Sequence, residues 1–311
     1  MQKNLTVTSS PHLRSPRSTR SIMQEVCLAL APAGIAGIVL FGWNALAIMV
    51  TSVLSCVVSE YLFQRINHKP ILIGDWSAVV TGLLLAYNIP ANAPLWIPLI
   101  GGMIAIILVK QCFGGLGGNF MNPALAARAV LFVSWAGIMS DYPKARFMAD
   151  AASSATPLAL IAEGQSVSVM DLLIGNCGGV LGETCKIAII LGGVYLIVRG
   201  ITDWRVPVCF IGAAFVCYLI QDGFQTALVQ VLSGGLLLGA FFMATDYVTC
   251  PMSGSGRIIM GLGCGVLLFV IRSYATYIEG CSFAILFMNV MTPLIDRFTA
   301  GKTFGEVKSR G

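Results

Sequence analysis

The sequence predicts an all-α polytopic membrane protein with about ten transmembrane helices. Two properties of the whole chain support this class: its composition and the long runs formed by its apolar residues. Hydrophobic residues make up 57% of the 311 positions and charged residues only 11%, whereas an average soluble domain is about 25% charged. The mean hydropathy is +0.84. Because a soluble domain must cover its surface with polar groups, most of this chain is expected to lie in lipid.

Ten apolar runs predict the individual helices, and most are close to the ~20 residues that cross a bilayer. The fifth run and the start of the sixth are rich in Gly and Asn, so we expect partly broken helices there. Such backbone must be satisfied by protein or by a cavity at membrane depth. The predicted spans are 24–41, 45–63, 75–90, 94–112, 120–135, 180–199, 205–221, 226–245, 256–274 and 279–299.

Lys and Arg residues fall mostly in alternate loops, and this asymmetry orients the chain. If the N-terminus is cytoplasmic, only Lys144, Arg146 and Arg272 lie outside. Because cytoplasmic loops are enriched in Lys and Arg, both termini are expected on the cytoplasmic side of a bacterial cytoplasmic membrane. The expected units are a cytoplasmic arm (1–23), a first five-helix repeat (24–135), an extracytoplasmic loop (136–179), a second five-helix repeat (180–299) and a cytoplasmic tail (300–311).

Short internal similarities relate the two halves. TGLLLA at 81–86 resembles GGLLLGA at 234–240, and NFMNP at 119–123 resembles LFMNVMTP at 286–293. Because each half has an odd number of predicted spans, the second copy is expected to be inverted, as in a urea- or ammonium-channel-like architecture. Inverted repeats commonly form a site at their interface. Three G-x-x-x-G patterns, starting at 178, 235 and 261, predict close helix packing.

The segment AASSATPLAL at 151–160 contains the first candidate site. One interpretation is structural: Thr156 is the N-cap of a short helix, PLALIAE, that begins at Pro157. The other is chemical: Thr156 offers an exposed hydroxyl for covalent attachment among small side chains, and Asp150 helps to position a metal or the incoming group. The two interpretations are compatible. The neighbours assigned to this motif are Asp150, Ser153, Ser154, Ala155, Pro157 and Leu158.

A glycine-rich stretch, FGGLGGNFMNPALAARAVLF at 113–132, contains the second candidate site. It does not match G-x-G-x-x-G and no strand precedes it, so a dinucleotide-binding Rossmann site is rejected. It forms either a tight helix junction or a set of exposed amides that bind a polar ligand in the membrane. An arginine within an apolar helix usually has a partner or a ligand. The candidate residues are Gly114, Gly115, Gly117, Asn119, Asn122 and Arg128.

Two aspartates at predicted span ends are candidates for an ion path. Asp246 ends the eighth predicted span and Asp75 opens the third. Each is either an interfacial residue or part of the path. The ten cysteines contain no C-x-x-C pair, so no zinc or iron–sulfur site, and no other metal site, is expected from this chain.

These motifs together resemble a known family of membrane redox subunits. The family contains the D subunit of the Rnf ion-translocating oxidoreductase complexes and the B subunit of the sodium-pumping NADH:quinone reductases. The resemblance covers nearly the whole chain and is closer to the Rnf protein. It is carried by SSPHLRS at 9–15, WSAVVTGLLLA at 76–86, FGGLGGNFMNPALAARA at 113–129, SSATPLA at 153–159 and MATD at 243–246.

The resemblance implies two flavins and an ion path. Family members carry FMN on the threonine of an S-[GS]-A-T motif, here Thr156, through a phosphoester made by a flavin transferase from FAD. Ser154 occupies a position that is often Gly in the family. A second, non-covalent riboflavin-type flavin is expected near Gly114–Arg128. An acidic residue matching Asp246 is linked to ion uptake in the quinone-reductase homologue.

The implied function is electron transfer within a larger translocase. The complex would couple ferredoxin–NAD chemistry to Na⁺ or H⁺ movement, and this chain would be one of its membrane subunits. Expected partners are the A, B, C, E and G subunits of Rnf, especially the FMN-bearing G subunit, together with the flavin transferase and membrane lipid; no nucleic acid is expected. The alternative is a passive channel or secondary transporter without a redox cofactor.

Overall fold

The structure is a computed structural model, and it describes residues 17–143, 145, 156–162, 167–183, 185–275 and 280–300. Several residues of the flavin-motif prediction lie outside these ranges, as do most of the two predicted cytoplasmic ends. The motif residues outside the described ranges are Asp150, Ser153, Ser154 and Ala155.

The regular secondary structure of the described residues is helical, apart from one isolated antiparallel bridge between Pro90 and Val180. Fourteen α-helical segments are named here in chain order. They are α1 (Thr19–Phe41), α2 (Trp43–Ile66), α3 (Ser77–Ala86), α4 (Trp96–Met103), α5 (Pro123–Ser134), α6 (Ala136–Met139), α7 (Pro157–Ala162), α8 (Val169–Ile174), α9 (Lys186–Val198), α10 (Arg205–Asp222), α11 (Phe224–Leu232), α12 (Leu236–Leu238), α13 (Gly254–Tyr274) and α14 (Cys281–Thr299). Helix α4 continues as a π-helix over Ile104–Gln111, and α12 over Gly239–Met243.

Five of the described helices, α1, α2, α10, α13 and α14, are long and apolar enough to cross a membrane. A sixth span is possible if α11 and the segment Leu236–Met243, which meet at 66°, form one bent crossing. Helices α3, α4 with its π-helical extension, α5 and α9 are apolar but shorter. The prediction of an all-α polytopic membrane protein is therefore confirmed. Each predicted apolar run contains a helix. The arrangement of ten spans in two five-helix repeats stays a prediction.

Large apolar side chains cover much of the outer surface of these helices. On α10, for example, Ile220 is 81% exposed, and on α1 Ile35 is 62% exposed. The interior is equally apolar: Leu30 of α1 and Phe210 of α10 are fully buried. Helices that are apolar on all sides are typical of membrane spans, because lipid replaces water on the outer face.

Small residues allow the close helix contacts that the glycine patterns predict. A Cβ atom added at Gly261 would lie 2.7 Å from Cys209 Cβ, and one added at Gly265 would lie 2.6 Å from Ala213 Cβ. These glycines of α13 therefore bring the α13 backbone against α10. The same argument holds near the bridge, where a Cβ at Gly182 would lie 2.6 Å from Tyr87 Cβ.

Candidate functional site

Thr156 is the N-cap of α7. Its Oγ1 accepts a hydrogen bond from the Ala159 amide at 3.3 Å, and Pro157 occupies the first helical position, where a missing N–H is harmless. The capping interpretation is thus confirmed. The expected exposed hydroxyl is not seen, because Thr156 is only 7% exposed. The cap turns the side chain toward its own helix, and Leu158, at 3% exposed, anchors that helix in the protein.

A cavity of about 450 Å³ opens beside α7, and we call it the Arg272 cavity. Four helices contribute its walls, and all four do so near the same end of the bundle. The lining residues are Leu158 and Ile161 of α7, Tyr218, Gln221 and Asp222 of α10, Thr226 and Gln230 of α11, and Arg272 and Ser273 of α13. Its volume lies within the ~300–1,000 Å³ typical of small-molecule and cofactor sites.

Three polar atoms of residues that line the Arg272 cavity are themselves fully buried. They are the Tyr218 hydroxyl oxygen, Gln230 Oε1 and Arg272 Nε. Tyr218 is 2% exposed, and its ring is fixed by an edge-to-face contact with Phe269 at 5.1 Å between ring centroids. The Tyr218 hydroxyl interacts with the Arg272 guanidinium, and because the three atoms are buried, none of them is open to a molecule in the cavity.

Arg272 also stabilises the break between α11 and α12. Its Nη1 donates to the Gln230 carbonyl at 2.8 Å and its Nη2 to the Ser233 carbonyl at 3.0 Å. Lys186 Nζ donates to the Gly234 carbonyl at 2.8 Å. The C-terminal carbonyls of a helix lack intrahelical partners, so these two cations satisfy the backbone where the broken helix would otherwise leave it unpaired.

A second, smaller cavity of about 60 Å³ lies elsewhere in the molecule, and we call it the Asp246 cavity. It brings together three residues that the sequence analysis assigned to two different sites: Asn119, Asn122 and Asp246. Ser77 and Lys110 also line it. Asn122 caps α5, accepting from the Ala124 amide at 3.0 Å, and its Nδ2 donates to the Met243 carbonyl at 3.2 Å.

A chain of polar contacts runs from the Asp246 cavity to Asp75. Lys110 Nζ lies 2.9 Å from Glu60 Oε1 and donates to Ser77 Oγ at 2.6 Å. The Ser77 hydroxyl in turn donates to Asp75 Oδ1 at 2.7 Å. Gln111 Nε2 donates to Glu60 Oε1 at 2.8 Å. Asp75 is therefore connected to the cavity without lining it. The buried Lys110–Glu60 ion pair lies at the centre of these contacts, and the sequence analysis did not select either residue as a candidate.

The Asp246 carboxylate lies just beyond the π-helix that ends at Met243. The Thr249 hydroxyl donates to Asp246 Oδ2 at 3.2 Å. Burial raises the pKa of the Asp246 carboxyl above its usual value, although hydrogen bonds from Thr249 and from the Val248 and Tyr247 amides act in the opposite direction. Desolvation disfavours the charged form of an acid, so Asp246 is easier to protonate than a surface aspartate.

The glycine-rich stretch forms a turn between the π-helix and α5. Gly114, Gly115 and Gly117 have φ values of 113°, 91° and 96°, a region that side chains rarely enter. Added Cβ atoms at Gly114 and Gly117 would meet nothing within 4 Å. The helix-junction interpretation is confirmed. The nearby Asp246 cavity, at about 60 Å³, is smaller than a typical cofactor site, and a second flavin at these residues stays a prediction.

Arg128 lies apart from that turn, in the protein interior. Its Nη1 donates to Asn88 Oδ1 at 3.1 Å and to Ser282 Oγ at 2.7 Å, and its Nη2 lies 3.8 Å from Glu183 Oε1. The prediction that this intramembrane cation has a partner is confirmed. Its partners come from α14, from the residues after α3 and from the turn Leu181–Glu183, so Arg128 connects distant parts of the chain instead of joining Asn119 and Asn122.

The fold and the two cavities define a multi-pass, all-helical membrane protein with charged side chains buried in its interior. The chain belongs to the NQR2, RnfD, RnfE family, whose sequence profile matches residues 6–305. This membership confirms the resemblance that the motifs indicated.

Three relatives illustrate the similarity. The chain is 49% identical to the D subunit of the Na(+)-translocating ferredoxin:NAD(+) oxidoreductase complex of Acetobacterium woodii, over 98% of this chain and 96% of that protein. It is 40% identical to the D subunit of the proton-translocating ferredoxin:NAD(+) oxidoreductase complex of Clostridium ljungdahlii, over 98% of each chain. It is 34% identical to the D subunit of the ion-translocating oxidoreductase complex of Halorhodospira halophila, over 97% of this chain and 96% of that one.

Proposed function

We propose that the chain is the membrane electron-transfer subunit of an Rnf-type ferredoxin:NAD⁺ oxidoreductase that moves Na⁺ or H⁺, and that it carries FMN on Thr156. The names of the relatives support the type of complex and include both ions. The chain is one part of a translocase. Ferredoxin and NAD chemistry belongs to its partners, the proposed A, B, C, E and G subunits, and the FMN-bearing G subunit is the proposed electron-transfer neighbour.

The observation that carries the flavin proposal is the position of Thr156 beside the Arg272 cavity. Thr156 lies two residues before Leu158, which lines that cavity. The cavity is of cofactor size, and polar or charged side chains, among them Gln221, Thr226 and Arg272, line it. A flavin tethered at Thr156 would therefore find both space and hydrogen-bonding groups next to its attachment point. The bound flavin supplies the redox chemistry, and the protein supplies its position and surroundings.

Attachment requires a defined exchange of bonds. The Thr156 oxygen forms a phosphoester with the FMN phosphorus of FAD, the pyrophosphate bond of FAD breaks, AMP leaves and the hydroxyl proton is released. The proposed flavin transferase catalyses this exchange. The Thr156 oxygen must first leave the Ala159 amide, and loss of an N-cap costs about 1 kcal/mol. The 3.3 Å distance of this bond is longer than the ~2.9–3.0 Å usual for N–H···O bonds, which makes that release easier.

We further propose that the Arg272 cavity faces outward and the Asp246 cavity faces the cytoplasm of a bacterium, in the ten-span, inverted-repeat arrangement with both termini inside. Two contacts agree with the relative placement of the helix ends in this arrangement. Arg17, near the N-terminus, donates to the carbonyl of Gly200, which follows α9, and Arg199 pairs with Glu25 of α1 at 2.7 Å. The start of α1 and the end of α9 therefore lie on the same side, as the proposed arrangement requires.

Asp246 and, through Ser77 and Lys110, Asp75 are proposed to take part in ion movement. The partly buried Asp246 carboxyl, whose pKa is raised by desolvation, supports this role. The test is the Na⁺ dependence of ferredoxin:NAD⁺ activity in the whole complex with Asp246→Asn, expected to weaken while the flavin content stays unchanged. A second, non-covalent flavin remains a prediction, and we give it no role in the proposed electron transfer. The cavity near the turn at Gly114–Gly117 measures only about 60 Å³.

The attachment is tested by producing the complex with its flavin transferase and viewing the denatured subunits by in-gel flavin fluorescence. The wild-type band is expected to fluoresce, Thr156→Val to be dark, and Thr156→Ser to keep part of the signal because it retains the hydroxyl. Thr51→Val is the matched control, since the Thr51 hydroxyl donates to the Ala47 carbonyl within α2. A dark wild-type band would instead favour a passive channel or transporter.

A further inference from the structure

We propose that a cavity between the start of α10 and the start of α13 binds the phosphate group of an anionic phospholipid, whose acyl chains lie along the outer surface of α10. The cavity measures about 530 Å³, and we call it the Arg205 cavity. Among the described residues it shares no lining residue with the Arg272 or Asp246 cavity. Six residues of its wall carry the argument: Asp203, Trp204, Arg205, Tyr247, Met252 and Arg257.

Two guanidinium groups in the wall of the Arg205 cavity supply positive charge, and both are accessible. The side chain of Arg205 is 41% exposed and that of Arg257 is 34% exposed. Arg257 Nη1 lies 2.6 Å from Asp203 Oδ2, and Arg205 Nη1 lies 3.7 Å from the same oxygen. Because two cations share one carboxylate, the wall keeps a net positive charge. The planar fork of a guanidinium matches the oxygens of a phosphate group.

The protein holds Arg257 more firmly than Arg205. Arg257 Nε donates to the Pro251 carbonyl at 3.1 Å, and its Nη1 donates to Asp203. Among the described residues, the Arg205 guanidinium has only the 3.7 Å contact with Asp203, which is too long for a hydrogen bond. Its N–H donors are therefore available to a phosphate. A Cβ added at Gly254 would collide with Arg205 Nη1, so this glycine lets Arg205 lie against the first turn of α13.

The two helix ends at the cavity add to the charge of the arginines. Helix α10 begins at Arg205 and α13 at Gly254, and the N-terminus of a helix carries a partial positive charge. The carboxylate of Asp203 accepts from the Arg205 amide at 3.0 Å and so offsets part of this charge at α10. At α13 the cap is the neutral Ser253 hydroxyl, which accepts from the Gly256 amide at 2.9 Å. The α13 end therefore favours an anion without compensation from its own cap.

One cation and one anion lie just outside the wall. Arg17 Nη1 donates to the carbonyl of Gly200, a lining residue, at 3.4 Å. Asp296 Oδ1 accepts from the amide of Met252, another lining residue, at 3.0 Å. These two charges act in opposite directions, so the sign of the cavity is set by the residues of the wall itself.

The position of the Arg205 cavity favours a phosphate that belongs to a lipid. Both α10 and α13 are long and apolar enough to cross a membrane, and the cavity lies at their first residues, where headgroups are expected. Trp204 and Tyr247 are exposed there, and both residue types are enriched at membrane interfaces. Val208, one turn along α10 from Trp204, is also exposed and offers an apolar surface to an acyl chain. Basic pockets at the ends of membrane helices are typical sites for anionic lipid headgroups.

The test uses the whole purified complex in neutral detergent and phosphatidylglycerol with a photoactivatable group on one acyl chain. Labelling of residues 200–257 of this chain, which trypsin releases, is measured by mass spectrometry at increasing lipid concentration. We expect saturable labelling of the wild type that weakens at high salt, because the charges are accessible. Phosphatidylcholine with the same label has no net charge and is expected to label this segment less. Arg205→Gln should need about fivefold more phosphatidylglycerol for half-saturation.

Two further variants separate the site from a general loss of charge or of folding. Gly254→Ala keeps every charge but displaces the Arg205 side chain, so it should also raise the half-saturating concentration. Arg297→Gln is the matched control, because Arg297 is an exposed arginine at the end of α14, next to the Asp296 that binds Met252, and lies outside the wall. Its labelling should equal that of the wild type.

Three results would overturn the inference. The first is the same half-saturating concentration in the wild type, Arg205→Gln and Gly254→Ala. The second is the absence of saturable labelling in the whole complex, which would show that a partner subunit covers the cavity. The third is displacement of phosphatidylglycerol by an equal concentration of inorganic phosphate, which would assign the cavity to a free anion.

Discussion

The Asp246 cavity and the Arg272 cavity differ in volume and in the side chains that line them. Around the first, Lys110 is paired with Glu60 and Ser77, and Asn122 binds the Met243 carbonyl; its volume is about 60 Å³. The second measures about 450 Å³ and is lined by Arg272, Asp222 and several neutral polar side chains. The first volume has room for water or an ion, whereas the second lies within the ~300–1,000 Å³ of small-molecule and cofactor sites. The proposed flavin would therefore fit the volume of the Arg272 cavity and not that of the Asp246 cavity.

The largest expected effect comes from breaking the ion pair beside the Asp246 cavity. Lys110→Met leaves the buried Glu60 carboxylate without its cation, and removing one partner of a buried pair costs about 3–5 kcal/mol. We expect a strong fall in the thermal or detergent unfolding stability of the purified protein.

The double variant Glu60→Gln/Lys110→Met is the control for that measurement. It removes both charges and keeps an amide next to Gln64 and Gln111, so much of the stability should return. Equal losses of unfolding stability in the single and double variants would show that the unpaired Glu60 charge is not the cause of the destabilisation.

An intermediate effect is expected at the cap of α5. Asn122→Ala removes the hydrogen bonds to the Ala124 amide and to the Met243 carbonyl, and an N-cap contributes about 1 kcal/mol. Unfolding measurements should show a loss of at least that size. Ser18→Ala is the matched variant, because Ser18 caps α1 at an exposed end by accepting from the Ser21 amide. A loss no greater than that of Ser18→Ala would argue against Asn122 as a link between the two halves.

The smallest expected effect is the pH dependence caused by Asp246. Because burial raises its pKa in the folded protein, the group stabilises the fold fully below its unfolded pKa, and this contribution is lost as the pH rises through the folded pKa. In Asp246→Asn the unfolding temperature should vary less with pH between those two values. An unchanged pH profile would show that the carboxyl is solvated, and would weaken the contrast between the cavities.

Hydropathy located the helices well because each apolar run is a local signal. The N-cap at Thr156 followed from its neighbour Pro157 for the same reason. The Arg272 cavity was not predictable, because its walls come from α7, α10, α11 and α13, and only Leu158 and Ile161 lie near the recognised motif. The Lys110–Glu60 pair joins residues 50 positions apart. The spacing of apolar residues along the sequence does not predict a contact between residues so far apart. Arg128 was correctly expected to have a partner, but its distance from Asn119 depends on packing that the sequence does not display.

The most direct test of the account is mass spectrometry of the tryptic peptide 147–186, which contains Thr156, from the complex purified out of cells that express the flavin transferase. The account predicts a peptide heavier by FMN less one water, with fragment ions that place the addition on Thr156. A peptide of unmodified mass, or an addition placed on Ser153 or Ser154, would contradict it.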